Sequence, residues 1–91
     1  MSRRARKVTY SHWAVGIKKD FKTTTQQQRN QQYRAAKLKI EPLGYQMTTY
    51  FHFRDDDNQA EAKAKAAATA LAAEIQSRSG VEMEVYEGCF I

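Results

Sequence analysis

The sequence predicts an α+β fold in which a four-stranded, mainly antiparallel sheet carries one long C-terminal helix on one face (βββαβ). Two observations predict it. An alanine-rich segment over 58–80 has helical spacing, and four other segments alternate apolar and polar residues as half-buried strands do. With 91 residues, the chain is expected to form a single domain over 8–91, preceded by a basic N-terminal arm over 1–7. A ferredoxin-like βαββαβ order is the alternative.

The long helix is predicted from its composition and from both of its ends. Nine alanines lie within 58–80, and neither glycine nor proline interrupts the segment before Gly80. Asn58 is the predicted N-cap, because Glu61 three residues later completes a capping-box pattern. Gly80 is the predicted C-terminal stop. Because the apolar stripe of this helix is mostly alanine, the helix is expected to lie close against a flat surface, which is the sheet.

The strands are predicted from their alternation. The first covers 8–19, with Trp13, Val15 and Ile17 on one face. The second covers 33–41 and is followed by the turn EPLG, in which a proline and a glycine occupy favoured turn positions. The third strand covers 45–54 and the fourth 81–87, each placing its polar residues on the face away from the helix.

The segment 20–32, DFKTTTQQQRNQQ, fits two structures. It holds five glutamines and lacks an apolar stripe that would dock a helix, which favours a loop. Thr25 and Gln28 instead form a capping-box pattern, which favours a short helix running toward Ala36. The loop is the preferred prediction, and the helix would give the ferredoxin-like order.

Charge divides the chain into two unequal halves. Residues 1–39 carry eleven of the fifteen Lys and Arg and one acid (11 − 1 = +10), whereas residues 40–91 carry four bases and nine acids (4 − 9 = −5). This asymmetry predicts an acidic partner for the first half, or a homodimer that pairs opposite halves. The single cysteine allows no intrachain disulfide, and no apolar run approaches about 20 residues. We therefore predict no membrane association and a cytoplasmic location, in the host if the protein is phage-encoded.

Aromatic and basic side chains are predicted to share the sheet face opposite the helix. Rings stack on bases and cations hold phosphates, so this combination is typical of nucleic-acid binding. An ordinary solvated face is the alternative, since Tyr, Thr and Lys suit any pleated surface. The predicted face carries Tyr10, His12, Tyr33, Lys37, Lys39, Tyr50, His52 and Arg54. Further backbone contacts are predicted for Arg3, Arg4, Arg6, Lys7, Lys18, Lys19, Lys22, Arg29 and Arg34.

Patterns typical of catalysis are missing from the sequence. Two histidines and one cysteine lack the spacing of a zinc site. The three acids at 55–57 are explained by capping of the helix that follows, and they lack the glycine of a calcium loop. Four scattered glycines form no phosphate-binding loop. We therefore predict a non-enzymatic protein that uses neither metal nor cofactor.

The strand–strand–helix stretch from Tyr33 to Ile75, with Trp13 in a preceding strand, is similar in pattern to one known family. This is the three-strand-plus-helix DNA-binding domain at the N-terminus of tyrosine recombinases. The likeness spans about two-thirds of the chain and rests on no specific motif. The 20–32 segment and the last strand depart from it, so the family's insertion of the sheet into the major groove does not carry over. What the resemblance implies is binding of nucleic acid through a sheet.

These observations predict a small basic protein that binds nucleic acid or a nucleoprotein complex through its N-terminal half and its sheet face. The alternative is an accessory inhibitor of the phage or mobile-element type, similar in size and style to anti-CRISPR proteins. Such a protein would act by protein–protein binding to a host nucleoprotein complex.

Overall fold

A computed structural model of the protein describes residues 9–90, and side chains within residues 9–88. The predicted basic arm over 1–7 lies outside the described residues. The described chain forms three strands and two helices, the first helix ending in a short 3-10 turn. In chain order these are β1 (Tyr10–Ile17), α1 (Gln26–Ile40), the 3-10 turn (Glu41–Leu43), β2 (Thr49–Arg54), α2 (Asn58–Ser79) and β3 (Met83–Phe90).

The three strands form one antiparallel sheet in the order β2-β1-β3. The central strand β1 pairs with both neighbours, so that Ala14 lies between Tyr50 and Tyr86, and His12 lies between His52 and Gly88. The α+β class is therefore correct, but the sheet has three strands and not four.

The predicted second strand over 33–41 is wrong, because these residues form the second half of α1 and the start of the 3-10 turn. Ala36 and Ile40, four residues apart, are both buried, whereas Leu38 between them is 79% exposed. A strand would have buried all three, so the observed burial matches the period of a helix and not that of a strand. Both predicted orders, βββαβ and βαββαβ, are therefore replaced by βαβαβ.

The preferred loop over 20–32 is also wrong from Gln26 onward. Thr25 caps α1 with the predicted capping box: its hydroxyl accepts from the Gln28 amide (3.1 Å), and the Gln28 side chain accepts from the Thr25 amide (2.8 Å). Only Ala36 and Ile40 of α1 are buried. Local capping and a short apolar contact at its C-terminal end therefore maintain a helix that has almost no apolar stripe.

The long helix α2 packs on one face of the sheet, as predicted. Its buried stripe is mostly alanine (Ala64, Ala68 and Ala72, followed by Ile75), which brings the helix close to Val15 in the centre of the sheet. Gly80 ends the helix in the left-handed conformation (φ 77°), whereas the N-cap is the residue before the predicted one. It is Asp57, whose carboxylate accepts from the Ala60 amide at 2.9 Å. Among the described residues, no helix combines the length and the apolar character needed to cross a bilayer.

Candidate functional site

The candidate site is the outer face, which we define as the sheet surface opposite α2. Because side chains alternate along a strand, the register places every second residue of each strand there. The outer face consists of Tyr10, His12, Ala14 and Gly16 of β1, Tyr50, His52 and Arg54 of β2, and Glu84, Tyr86 and Gly88 of β3.

Three tyrosines, one from each strand, are partly exposed on the outer face. The exposed fractions are 48% for Tyr10, 49% for Tyr50 and 41% for Tyr86. Tyr50 and Tyr86 flank Ala14 on neighbouring strands, about 10 Å apart, and Tyr10 lies four residues away along β1, or about 13 Å. The exposed parts of the rings therefore offer several apolar faces within the reach of one ligand.

The centre of the outer face is filled by His12. The residue is 8% exposed. Its ring meets the Tyr50 ring edge-on at 5.0 Å and the His52 ring at 5.9 Å, while the Tyr50 and His52 rings stack at 6.2 Å. Gly88 makes room for this ring, since a Cβ there would lie 2.5 Å from the His12 Nε2 atom. His12, predicted to contact the ligand, is therefore a buried neighbour of the exposed Tyr50 and His52 rings.

Tyr86 lies against a second glycine, Gly16. A Cβ on Gly16 would meet the Tyr86 ring at 3.4 Å and its hydroxyl at 3.6 Å. Burial, and then the nearby Tyr50 and Glu84, raise the pKa of the Tyr86 phenol further above neutral pH. Tyr86 was not among the predicted contact residues, although its outward position in the alternating last strand was a signal for it.

The outer face itself carries little free positive charge. Arg54 makes a two-pronged pair with the Asp56 carboxylate (3.1 and 2.9 Å), which raises the pKa of its guanidinium. The predicted neighbours Tyr33, Lys37 and Lys39 are not on the sheet, because the segment that holds them is part of α1. The prediction of bases interleaved with aromatics on one sheet face is therefore wrong for these residues.

Cations lie instead near the end of β1 at Ile17 and along α1. Lys19, Lys22, Arg34 and Lys37 are exposed, with no ion pair to the described residues. The other predicted bases near these elements either have a partner or lie at a different groove. Lys18 lies 3.9 Å from Glu82, Arg29 stacks over the Phe21 ring and donates to the Thr24 carbonyl at 2.6 Å, and Lys39 borders a separate groove beside Val81. In the sequence, the four bases of the arm shortly precede Tyr10, at the opposite end of β1.

The three acids before α2 all have structural partners. Asp57 caps the helix, Asp56 holds Arg54, and the Asp55 carboxylate accepts from the hydroxyls of Thr9 and Ser11. These last two bonds, Ser11 first, lower the pKa of Asp55 and join the start of β1 to the corner between β2 and α2. Within the described part of the chain, no group of three or more His, Cys, Asp or Glu is placed to hold a metal ion.

The Asp55 contact predicts a pH effect. Because the folded-state pKa of Asp55 is lowered, its stabilisation is present above the unfolded carboxyl pKa of about 3.9 and is lost as pH falls through the folded value. We expect Ser11→Ala with Thr9→Val to raise the pKa of Asp55 toward that ordinary value, measured by NMR titration of the carboxyl carbon. Asp20, whose pKa is lowered by Thr23, is the internal control and should not change. An unchanged pKa of Asp55 would show that the two hydroxyls do not act on it.

The structure thus brings five of the predicted residues together on one face: Tyr10, His12, Tyr50, His52 and Arg54. It places the others on α1, in the loop before it, or outside the described residues. The pattern shared with tyrosine recombinases includes a strand over 33–41, which is helical here. No protein-family model, curated protein sequence or solved structure matches this chain.

Proposed function

We propose that this protein binds single-stranded nucleic acid, whose bases stack on the tyrosines of the outer face. One observation carries the proposal: Tyr10, Tyr50 and Tyr86 come from three different strands, and each leaves between 41% and 49% of its surface exposed on the same side of the sheet. The core lies on the opposite side, under α2. These rings are therefore available to a ligand without any change of the fold.

Single-stranded nucleic acid suits this surface better than a duplex. Bases in a duplex are stacked on one another and show only their edges, whereas unpaired bases offer their ring faces to aromatic side chains. Stacking tolerates any base, so binding at the three tyrosines is expected to depend little on sequence. The His12 ring contacts the Tyr50 ring edge-on at 5.0 Å, and a contact that restricts the ring before binding lowers the entropy lost on binding.

The phosphates require cations from beyond the outer face. Lys19 and Lys22 follow the end of β1, and Arg34 and Lys37 lie on α1, which has no acid among its residues. A strand that leaves the tyrosines at the Ile17 end of β1 would approach this group. Lys37 lies on α1, so Lys37→Glu tests whether the helix, and not the sheet, binds phosphate. Lys63→Glu, at an exposed position of α2, is the matched control.

The test is the affinity of a labelled single-stranded decamer and of the corresponding duplex at 50 and 200 mM salt. We expect tighter binding of the single strand. If four phosphates are neutralised, a slope of −0.7 per phosphate lowers its affinity about 50-fold over this fourfold salt range. Equal or tighter binding of the duplex would contradict the proposal, and so would no binding at 50 mM. In the last case a pull-down from nuclease-treated lysate would test the alternative, a protein partner within a nucleoprotein complex.

A further inference from the structure

A pocket of about 320 Å³ continues the outer face beyond Tyr86, between the end of the sheet and α1. Its volume is at the lower end of the range for small-ligand sites. Residues of β1, β3, α1 and the loop before α1 meet there, among them Gly16, Lys19, Phe21, Tyr33, Glu84 and Tyr86.

Three of these residues are aromatic and come from separate parts of the chain. Tyr86 belongs to the sheet, Tyr33 to α1 and Phe21 to the connecting loop, where the Arg29 guanidinium lies 4.7 Å from the centre of its ring. Gly16 lines the same pocket without a side chain. Space bounded by rings and a glycine suits a flat aromatic group, because such a group gains most from contact on its faces.

Glu84 gives the pocket a hydrogen-bond acceptor. It is half-buried on the outer face, and within residues 9–90 its carboxylate has no hydrogen bond or ion pair. An ionised carboxylate accepts hydrogen bonds and donates none, so it favours a ligand with adjacent donors. Lys19 supplies a cation at the same pocket, which suits a phosphate.

We propose that this pocket binds one unstacked base of the nucleic acid and prefers guanine. The Watson–Crick edge of guanine presents N1–H and N2–H side by side, which matches the two oxygens of Glu84, whereas no other base has two neighbouring donor atoms on that edge. The inference rests on the proposed function, since Tyr86 belongs both to the outer face and to the pocket. A peptide cation is the other ligand class that rings and a carboxylate attract, but Lys19 repels it.

The experiment compares an all-uridine RNA decamer with the same decamer carrying one central guanosine, at 50 mM salt. We expect the wild-type protein to bind the guanosine-containing decamer about tenfold more tightly, within the discrimination of a two-pronged base contact. Glu84→Gln should reduce this ratio to about one, because the amide replaces one acceptor by a donor. Tyr33→Ala should also lower the ratio, because it removes one of the rings that would hold the guanine in the pocket. The result is read as this ratio, because a change in general affinity alters the binding of both decamers alike and does not imitate a loss of guanine preference.

Leu38→Ala is the control, since Leu38 is an exposed side chain of α1 that does not line the pocket, and it should retain the tenfold ratio. Circular dichroism verifies the fold of each variant, and if Tyr33→Ala unfolds, Glu84→Gln decides alone. A wild-type ratio of one with both decamers bound would overturn the pocket inference and leave the outer-face proposal intact. A tenfold ratio that persists in both variants would also overturn it. So would binding of free arginine, seen as a shift of the Gly16 amide signal, together with no preference for guanosine. No binding of either decamer would overturn both proposals.

Discussion

Replacing Tyr10 and Tyr50 together by alanine is expected to lower the affinity for a single-stranded decamer by about 10²–10³-fold. Each stacked base is worth about 1–3 kcal/mol by alanine substitution, and this expectation takes about 1.5–2 kcal/mol for each ring. The two tyrosines lie four residue positions, or about 13 Å, apart along the sheet, so their losses should nearly add. The loss should appear at both 50 and 200 mM salt, because stacking involves no counterion release. Fluorescence anisotropy with a labelled decamer measures it directly.

Two further variants separate stacking from damage to the fold. Tyr10→Phe with Tyr50→Phe keeps both rings, so the affinity should stay within about threefold of wild type. A larger loss of affinity would show that the hydroxyls make hydrogen bonds to the ligand. Leu38→Ala removes an apolar side chain of α1 that is even more exposed (79%) than the two tyrosines, and it should have no effect. If the alanine pair binds as tightly as wild type, the tyrosines do not stack on bases and the outer face is not the binding surface.

The elements that could be predicted are those whose signals are local. α2 was predictable because its alanines and Gly80 act within the helix itself. The outward positions of Tyr50 and His52 were predictable too, since a strand period of two holds wherever the strand lies in the sheet. These two facts account for the α+β class and for most of the outer face.

The segment over 33–41 could not be assigned from its pattern alone. Ala36, Leu38 and Ile40 fit a strand by alternation, and Ala36 with Ile40 fits one side of a helix equally well. What decides is tertiary: Ile40 is fully buried in the core, and Leu38 is left exposed. The error moved Tyr33 and two lysines from α1 onto the sheet, so the predicted charge of the outer face was too high.

The packing of the His12 and Tyr86 rings against two glycines depends on the register of the strands, which could not be predicted from the sequence. Gly88 lies opposite His12 only because β3 pairs with β1 in one particular alignment. The same alignment places Gly16 beside Tyr86. Neither glycine has the left-handed backbone that marks glycines such as Gly80, so no turn signal indicated that they make room for rings.

Gly88→Ala is expected to destabilise the protein by about 1–3 kcal/mol, the usual cost of adding a methyl group to a filled site. Its Cβ would lie 2.5 Å from Nε2 and 2.6 Å from Cε1 of the buried His12 ring, which contacts the Tyr50 and His52 rings edge-on and would have to shift against them. Because the backbone of Gly88 is not left-handed, alanine adds no backbone strain there. Urea denaturation measures the change in the free energy of unfolding.

Gly16→Ala is the matched stability control, since it adds the same methyl group to the same face of the sheet at ordinary contact distance, 3.4 Å from the Tyr86 ring. It should change stability by less than about 1 kcal/mol, the size of the effect of glycine on the unfolded chain. If the two variants were equally stable, His12 would not be held over Gly88. If Gly88→Ala alone loses stability and also binds the all-uridine decamer more weakly, the displaced His12 ring has moved Tyr50. The buried histidine would then act on the ligand through the tyrosine that it positions.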